Sequence, residues 1–491
     1  MPFNSLSYFL FLPVVFLLHY FTPDRFRWLV LLAASFVFYA ALKSSHLIAV
    51  LLFITTITYC TGIWIDRKKD PRTKQYLLWG GISANILTLI ILKYLPFITQ
   101  NLNVVLSRIS SGTTVPVSKA IIAIGVSYFI FQAISYLVDI YLEIEQPEHH
   151  FGRFALYMAF FPKLMQGPIE RAGDLLPQLN KQYQFDYDAM RFGMLLFTWG
   201  LFKKAVVADR LALYADQVFN NVNDYSGLSL IIGIYAYALQ IYFDFSAYTD
   251  MARGTGRMFG INLTENFNSP YLATSIADFW RRWHISFSRW ILDYIFKPLQ
   301  MSWRDWGHAG TAAALIITFL ISGIWHGATW GFVLWGLLHG IYLASSTYYR
   351  PYQRQLHKWL GVEKSKWLKW WQVFVTFNLV SFAWIFFRVK HWKDAWVLLK
   401  NLANIDIMQR LKEVGTEAYI SKYILLNIPW GKAVILFIVV IPVIVVHCMK
   451  VRNVSICNQP KLVRLLIYLT LLISLSLFSY AEQYTFIYNQ F

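Results

Sequence analysis

Residues 321–340 read ISGIWHGATWGFVLWGLLHG, and His326 sits there among side chains that otherwise belong in lipid. An imidazole has an unperturbed pKa of about 6.5. Histidine is therefore the natural base for taking a proton from a hydroxyl in acyl transfer, a reaction that also needs an oxyanion stabiliser and a dry site. Gly323, Gly327 and Gly331 recur at a spacing of four. On one helix this puts all three on one face, where a neighbouring backbone can approach closely. A polar residue that is costly in hydrocarbon, placed where packing is tightest, is a functional candidate. A histidine that only joins two helices by a hydrogen bond fits the same stretch, so both readings stay open at this point.

Two other stretches carry charge where a membrane protein can use it. Between 246 and 308 the chain is too charged to span a bilayer. Its second half predicts an amphipathic helix over 275–297, with Phe279, Trp283, Phe287, Trp290 and Tyr294 in one aromatic stripe. Arg289, Asp293 and Lys297 follow on another face at ion-pair spacing. Such a helix is expected to lie on the membrane surface. His284 lies beside the stripe, close to Arg281 and Arg282. Guanidinium forks match phosphate oxygens, which suits entry of a phosphate-bearing carrier such as coenzyme A; lipid headgroups account for the same pair. In AFFPKLMQGPIERAGDLLPQL (159–179), Gln166, Gly167 and Pro168 end an apolar run, and Glu170, Arg171 and Asp174 follow. Broken helices of this type line cavities in transporters, although an ordinary loop reads alike. GTG at 254–256 lacks the strand and the Lys-Ser/Thr of a phosphate-binding loop.

These residues must be positioned by membrane helices. The chain has 491 residues, of which 57% are hydrophobic and 14% charged, and its mean hydropathy is +0.45. Soluble domains carry about 25% charged residues, so this is a polytopic membrane protein. Apolar runs that could span fall near 5–22, 26–42, 46–65, 76–95, 119–141, 151–165, 191–208, 227–245, 310–326, 328–348, 370–388, 433–449 and 463–481. Short or broken ones, notably 151–165, are tolerated at membrane depth only inside protein or beside a water-filled cavity. The net charge of +18 is spread between the apolar runs, which argues for cytoplasmic loops and against a nucleic-acid partner. The basic loops 66–74, 349–369 and 447–464 put both termini outside, His326 toward the outer side or mid-depth, and 389–432 in an extracytoplasmic segment. The opening MPFNSLSYFLFLPVVFLLHYF has no basic leader or cleavage pattern and is expected to stay as the first span. Cys60, Cys448 and Cys457 show neither metal-ligand nor disulfide spacing.

FPKLMQGPIER, YFDFSAYTDMARGTGRMFGI, NFNSPYLATSIADFWRRWHISFSRWILDYIFKPL and SGIWHGATWGFVLWGLLHG occur in this order. Together they resemble the membrane-bound O-acyltransferase family, in particular its bacterial branch of alginate O-acetyltransferases, peptidoglycan O-acetyltransferases and the teichoic-acid D-alanylation channel protein. The opening FNSLSYFLFLPVVFLLHY is similar to the start of the alginate type. The resemblance covers most of the chain.

The resemblance implies an all-α polytopic fold, a ring of tilted transmembrane and re-entrant helices around a thin centre with a funnel on each face. It implies one integral membrane domain over 1–491: N-terminal spans over 1–110, a core over 119–349, and C-terminal spans over 370–491. His326 in WHG matches the catalytic histidine, and His284 in RRWH a second recurrent histidine. Asp278, Arg281, Arg282 and Asn268 are assigned to the cytoplasmic mouth. The resemblance further implies that no cofactor is bound and that acetyl-CoA is the acyl donor. On the same resemblance, the acyl group is expected to cross the bilayer of a bacterial cytoplasmic membrane and pass to an extracytoplasmic SGNH-type partner, which esterifies a polysaccharide. Relatives end in a motif like FIYFQF, whose tyrosine is proposed to accept the acyl group outside. Here the ending is FIYNQF (486–491), with Tyr488 in that place and Asn489 for the usual aromatic. Peptidoglycan O-acetylation and teichoic-acid D-alanylation are alternatives within the class. A transporter or scaffold without chemistry is the alternative outside it, and it predicts paired charges along a pore and inverted repeats.

Overall fold

The computed structural model describes the chain except residues 43–44, 110–113, 118–124, 182, 390, 405–411, 413, 437–441, 444–445, 447–458, 480–485 and 488–491. Among the described residues every regular element is helical. A helix satisfies its own backbone hydrogen bonds where no water is present. Six helices among the described residues are long and apolar enough to cross a bilayer: Leu47–Arg67, Pro71–Ile109, Leu228–Met258, Arg304–His326, Lys366–Arg388 and Lys461–Phe478. Leu6–Phe21 and Val126–Tyr141 are shorter apolar helices. Most expected spans coincide with helices, while the run at 433–449 falls largely outside the described residues. The chain divides into two compact units, residues 1–197 with 249–265 and residues 198–248 with 266–491.

The first unit contains α1 (Leu6–Phe21), α2 (Asp24–Ala40), α3 (Ser45–Arg67), α4 (Pro71–Leu89), α5 (Leu95–Ile109), α6 (Val126–Tyr141), α7 (Phe151–Ala159), α8 (Ala172–Asn180) and most of α9 (Tyr187–Phe202). The Asp70 carboxylate accepts from Thr73 N at 2.9 Å and starts α4, with Pro71 at its first position. A single π turn, Ile90–Tyr94, carries α4 into α5. After α7 the chain turns irregularly before α8, and every residue from 154 to 170 is buried. Glu170 accepts from Thr264 N at 2.6 Å and from Thr264 Oγ1 at 2.9 Å, and the Lys163 ammonium stands 4.8 Å over the Tyr157 ring. The expected break at Gln166, Gly167 and Pro168 is thus present and enclosed in protein, as irregular backbone at such a place must be.

The second unit contains α10 (Asp209–Phe219), the N-terminal part of α11 (Leu228–Met258), α12 (Ile276–Arg282), α13 (Ile285–Ile291), α14 (Lys297–Ser302), α15 (Gly307–His326), α16 (Trp330–Trp359), α17 (Lys366–Arg388), α18 (Trp392–Leu402) and the helix Lys461–Phe478. Two expectations are corrected here. Gly323, Gly327 and Gly331 do not share a helix face, because α15 stops at His326 and Gly327 is extended with φ −171° and ψ 162°. The close approach is made instead across the hairpin of α15 and α16. A Cβ on Gly336 would strike Phe319 O and come within 3.1 Å of Gly323 Cα. A Cβ on Gly331 would strike Phe386 O in α17.

The helix expected over 275–297 is not continuous. Ser275 Oγ accepts from Asp278 N at 3.1 Å and caps α12, which ends at Arg282; α13 begins at Ile285. Between them His284 takes the left-handed conformation with φ +44°, uncommon for a residue other than glycine. The aromatic stripe does not lie on a membrane surface either. Phe279, Trp283, Phe287 and Trp290 are all buried. Trp283 packs 5.1 Å from Trp384 of α17, and Phe287 stacks 4.6 Å from Trp325 of α15. Asp293 and Lys297 form the expected ion pair at 2.7 Å.

The hairpin gives a test. Gly336→Ala forces α16 away from Phe319 and should destabilise the protein by about 1–3 kcal/mol. Gly80→Ala, where a Cβ meets nothing within 4 Å, should be neutral or mildly stabilising. Unfolding of the detergent-solubilised variants measures both.

Candidate active site

The break at His284 is held by one carboxamide. Asn266 Oδ1 accepts from Ser286 N at 3.0 Å and from Ser286 Oγ at 2.8 Å, and it lies 3.4 Å from His284 Nδ1. Ile285 N donates to Asn266 O at 3.0 Å. These bonds take up backbone donors that α13 leaves open at its start. They hold the His284 ring edge-on to Phe245, 4.8 Å away, and 5.1 Å from Phe287. Burial lowers the His284 pKa to about 3, so the ring is neutral at physiological pH.

His326 is the last residue of α15, and it is 6% exposed. Four rings wall it: Trp325 at 4.7 Å, Trp335 at 4.9 Å, Phe387 at 5.2 Å and Phe287 at 5.7 Å. Phe287 therefore touches both histidines, and the structure brings together the two that the sequence singles out. A third imidazole, His339, was missed. It is fully buried, accepts from Trp280 Nε1 at 3.2 Å through Nδ1, and packs 5.0 Å from Trp335. It stands in the same stretch as His326, but its partner Trp280 comes from 59 positions earlier, and no local spacing signals that contact. Apolar walls of this kind exclude water and leave an imidazole to exchange protons only with what enters the site.

The residues expected at the cytoplasmic mouth gather around the C-terminal end of α12. Asp278 pairs with Arg282 at 3.0 Å and with Arg281 at 3.3 Å. Two guanidinium groups share one carboxylate, so the cluster keeps a net positive charge. Asn268 joins it through the backbone alone, its N–H donating to Arg282 O at 2.9 Å. Tyr488 lies outside the described residues, but the two residues before it are placed. Ile487 N donates to Asp244 Oδ2 at 2.8 Å, and the Phe486 ring lies 4.5 Å from the Lys204 ammonium. Lys204 in turn bridges Asp244 at 2.7 Å and Asp209 at 2.9 Å, all three nearly inaccessible to solvent. Sequence reasoning passed over this triad: Lys204 and Asp209 are near neighbours in the chain, but Asp244 joins them from a later helix, which no local spacing signals.

Asn266→Ala should cost about 1–3 kcal/mol, the penalty for buried donors left without an acceptor. Asn268→Ala should stay within about 0.5 kcal/mol, because only its backbone is bonded; thermal unfolding of the pair checks this. Asp244→Ala should release the segment ending at Ile487, seen as faster carboxypeptidase trimming than in wild type.

Residues 36–386 match the sequence profile of MBOAT, the membrane-bound O-acyltransferase family. The chain is 36% identical over 399 residues to a probable alginate O-acetylase of Azotobacter vinelandii, covering 80% of this chain and 76% of that one. It is 35% identical over 447 residues to the peptidoglycan O-acetyltransferase of Helicobacter pylori, covering 82% and 80%. It is 27% identical over 365 residues to the teichoic acid D-alanyltransferase of Bacillus subtilis, covering 71% and 88%.

Proposed function

This chain belongs to the membrane-bound O-acyltransferase family and is a multi-pass membrane acyltransferase, and on that premise we propose that it carries acetyl groups from cytoplasmic acetyl-CoA toward an extracytoplasmic polysaccharide of the alginate kind. The observation that supports a chemical role over passive transport is the placement of His326 at the end of α15, enclosed by four aromatic rings. Similarity to alginate O-acetylases supports the acyl group and the polymer.

The proposed chemistry is a base-catalysed transfer. His326 takes the proton of the accepting hydroxyl, and the oxygen attacks the thioester carbonyl. The tetrahedral intermediate collapses, the C–S bond breaks, and the thiolate takes the proton back from the imidazolium, leaving free coenzyme A and an ester. The first acceptor is Tyr488, which follows the anchored Phe486 and Ile487 in the chain. An SGNH-type partner outside then moves the acetyl group to the polymer and restores the tyrosine. His284, neutral and fixed by Asn266, positions the reactants. Arg281 and Arg282, with Asp278 and Asn268, meet the donor's phosphates at the cytoplasmic mouth. The enzyme sits in a bacterial cytoplasmic membrane with both termini outside.

Peptidoglycan is a second acceptor reading, favoured by 35% identity to the Helicobacter pylori enzyme. Supplying each polymer with the partner present separates the two.

The decisive experiment uses full-length protein in liposomes with acetyl-labelled acetyl-CoA on the cytoplasmic side. Wild type should release coenzyme A and acquire label. His326→Ala should slow release by at least about 100-fold, the contribution of a positioned base. Tyr488→Phe should abolish label on the protein. Normal release from His326→Ala overturns the catalytic assignment, and label persisting in Tyr488→Phe removes the tyrosine carrier.

A further inference from the structure

A cavity of about 210 Å³ lies within the first unit, between the turn joining α1 to α2, the start of α7 and the end of α8. Its lining is strongly basic: Arg25, Arg27, Arg153 and Lys181, against the single carboxylate of Asp24. Asp24 is already engaged by Arg27 at 2.6 Å, and Arg27 is further tied to the carbonyls of Thr22 and Tyr183. Among the described residues, Arg25, Arg153 and Lys181 have no carboxylate partner. His19 of α1 also lines the cavity, 4% exposed, and neither of its ring nitrogens has a hydrogen-bond partner among the described residues. A buried imidazole must carry at least one N–H, and a donor left unused in the interior is costly. Three cations without a carboxylate partner, Arg25 and Lys181 exposed and Arg153 half-buried, face one cavity together with a buried imidazole N–H, which is the chemistry of an anion site.

The size narrows the ligand. Pockets for drug-sized molecules run from about 300 to 1,000 Å³, so this one holds a phosphate group and its immediate ester, not a whole nucleotide. Guanidinium forks bind phosphate oxygens in pairs. Basic pockets at the ends of membrane helices are where anionic headgroups settle. We propose that this cavity is a phosphate site, distinct from the histidine site, that receives the phosphate ester of an anionic lipid headgroup or of a small soluble phosphate. The proposal stands apart from the acyl-transfer reading, since it rests on residues that reading does not use.

The test uses the full-length protein in nanodiscs of phosphatidylcholine alone or mixed with phosphatidylglycerol, with native mass spectrometry counting the phosphatidylglycerol that stays bound. In parallel, inorganic phosphate is titrated into the detergent-solubilised protein and its thermal unfolding followed. Wild type should retain phosphatidylglycerol, and the Arg153→Gln/Lys181→Gln double variant should retain about ten-fold less or below, as two phosphate-contacting cations are lost. The two single variants and His19→Phe give the same reading if the double variant fails to fold. Arg304→Gln, at a side chain that is 81% exposed and does not line the cavity, should bind as wild type does. Stabilisation by inorganic phosphate that vanishes in Arg153→Gln, without lipid retention, supports the site with a soluble ligand. Equal retention and equal stabilisation in wild type and all cavity variants, or no binding of either probe by wild type, overturns it.

Discussion

A backbone amide in hydrocarbon has no water to turn to, and that constraint governs where this chain is allowed to stop being helical. It stops at three informative places: the irregular stretch after α7, the turn at His284 and the extended residues after His326. The first is wholly enclosed, with Glu170 taking the amide and hydroxyl of Thr264. The second is closed by Asn266, whose carboxamide oxygen accepts twice from Ser286. The third is covered by rings of α13, α16 and α17. Both histidines singled out for chemistry sit at such interruptions, where a side chain can be aimed in a direction that a continuous helix does not offer.

The surroundings of those histidines are aromatic rather than polar. Phe287 touches both rings, and Trp335 stands between α15 and α17 with His339 behind it. Edge-to-face contacts of this sort fix ring orientation. The close approach of α15 and α16 at Gly323 and Gly336 leaves no slack beneath them. Rigidity and dryness therefore come from the same packing, and charge is kept at the margin, where Arg281 and Arg282 share Asp278.

Much of the scaffold was legible in the sequence, because lipid imposes a plain signal: long apolar runs became helices, and the Gln166, Gly167 and Pro168 break is real. What failed were inferences that extended one period through a functional residue. The spacing of Gly323, Gly327 and Gly331 suggested one face, yet Gly327 is where the helix ends, and Gly323 instead meets Gly336. The aromatic spacing across 275–297 suggested one surface helix, yet Asn266, outside that window, stabilises a left-handed turn in its middle. Periodicity reports local geometry; the partner that overrides it comes from elsewhere in the chain. For the same reason Asn268 was noticed and Asn266, two positions earlier, was not. His326 and His284 could be chosen by residue type and motif, whereas His339 and the Lys204 triad needed the third dimension.

The Ile487 amide reaches Asp244 from 243 positions away. A polypeptide made in order contains both Lys204 and Asp244 long before that donor exists. Until it arrives, the Asp244 carboxylate lacks the amide it later accepts from. The entropy of closing so long a loop grows only slowly with its length, so the consequence is one of timing more than of free energy. The interior of the second unit gains this hydrogen bond only after synthesis has passed Ile487, which makes Asp244 a register of whether the chain has been made that far.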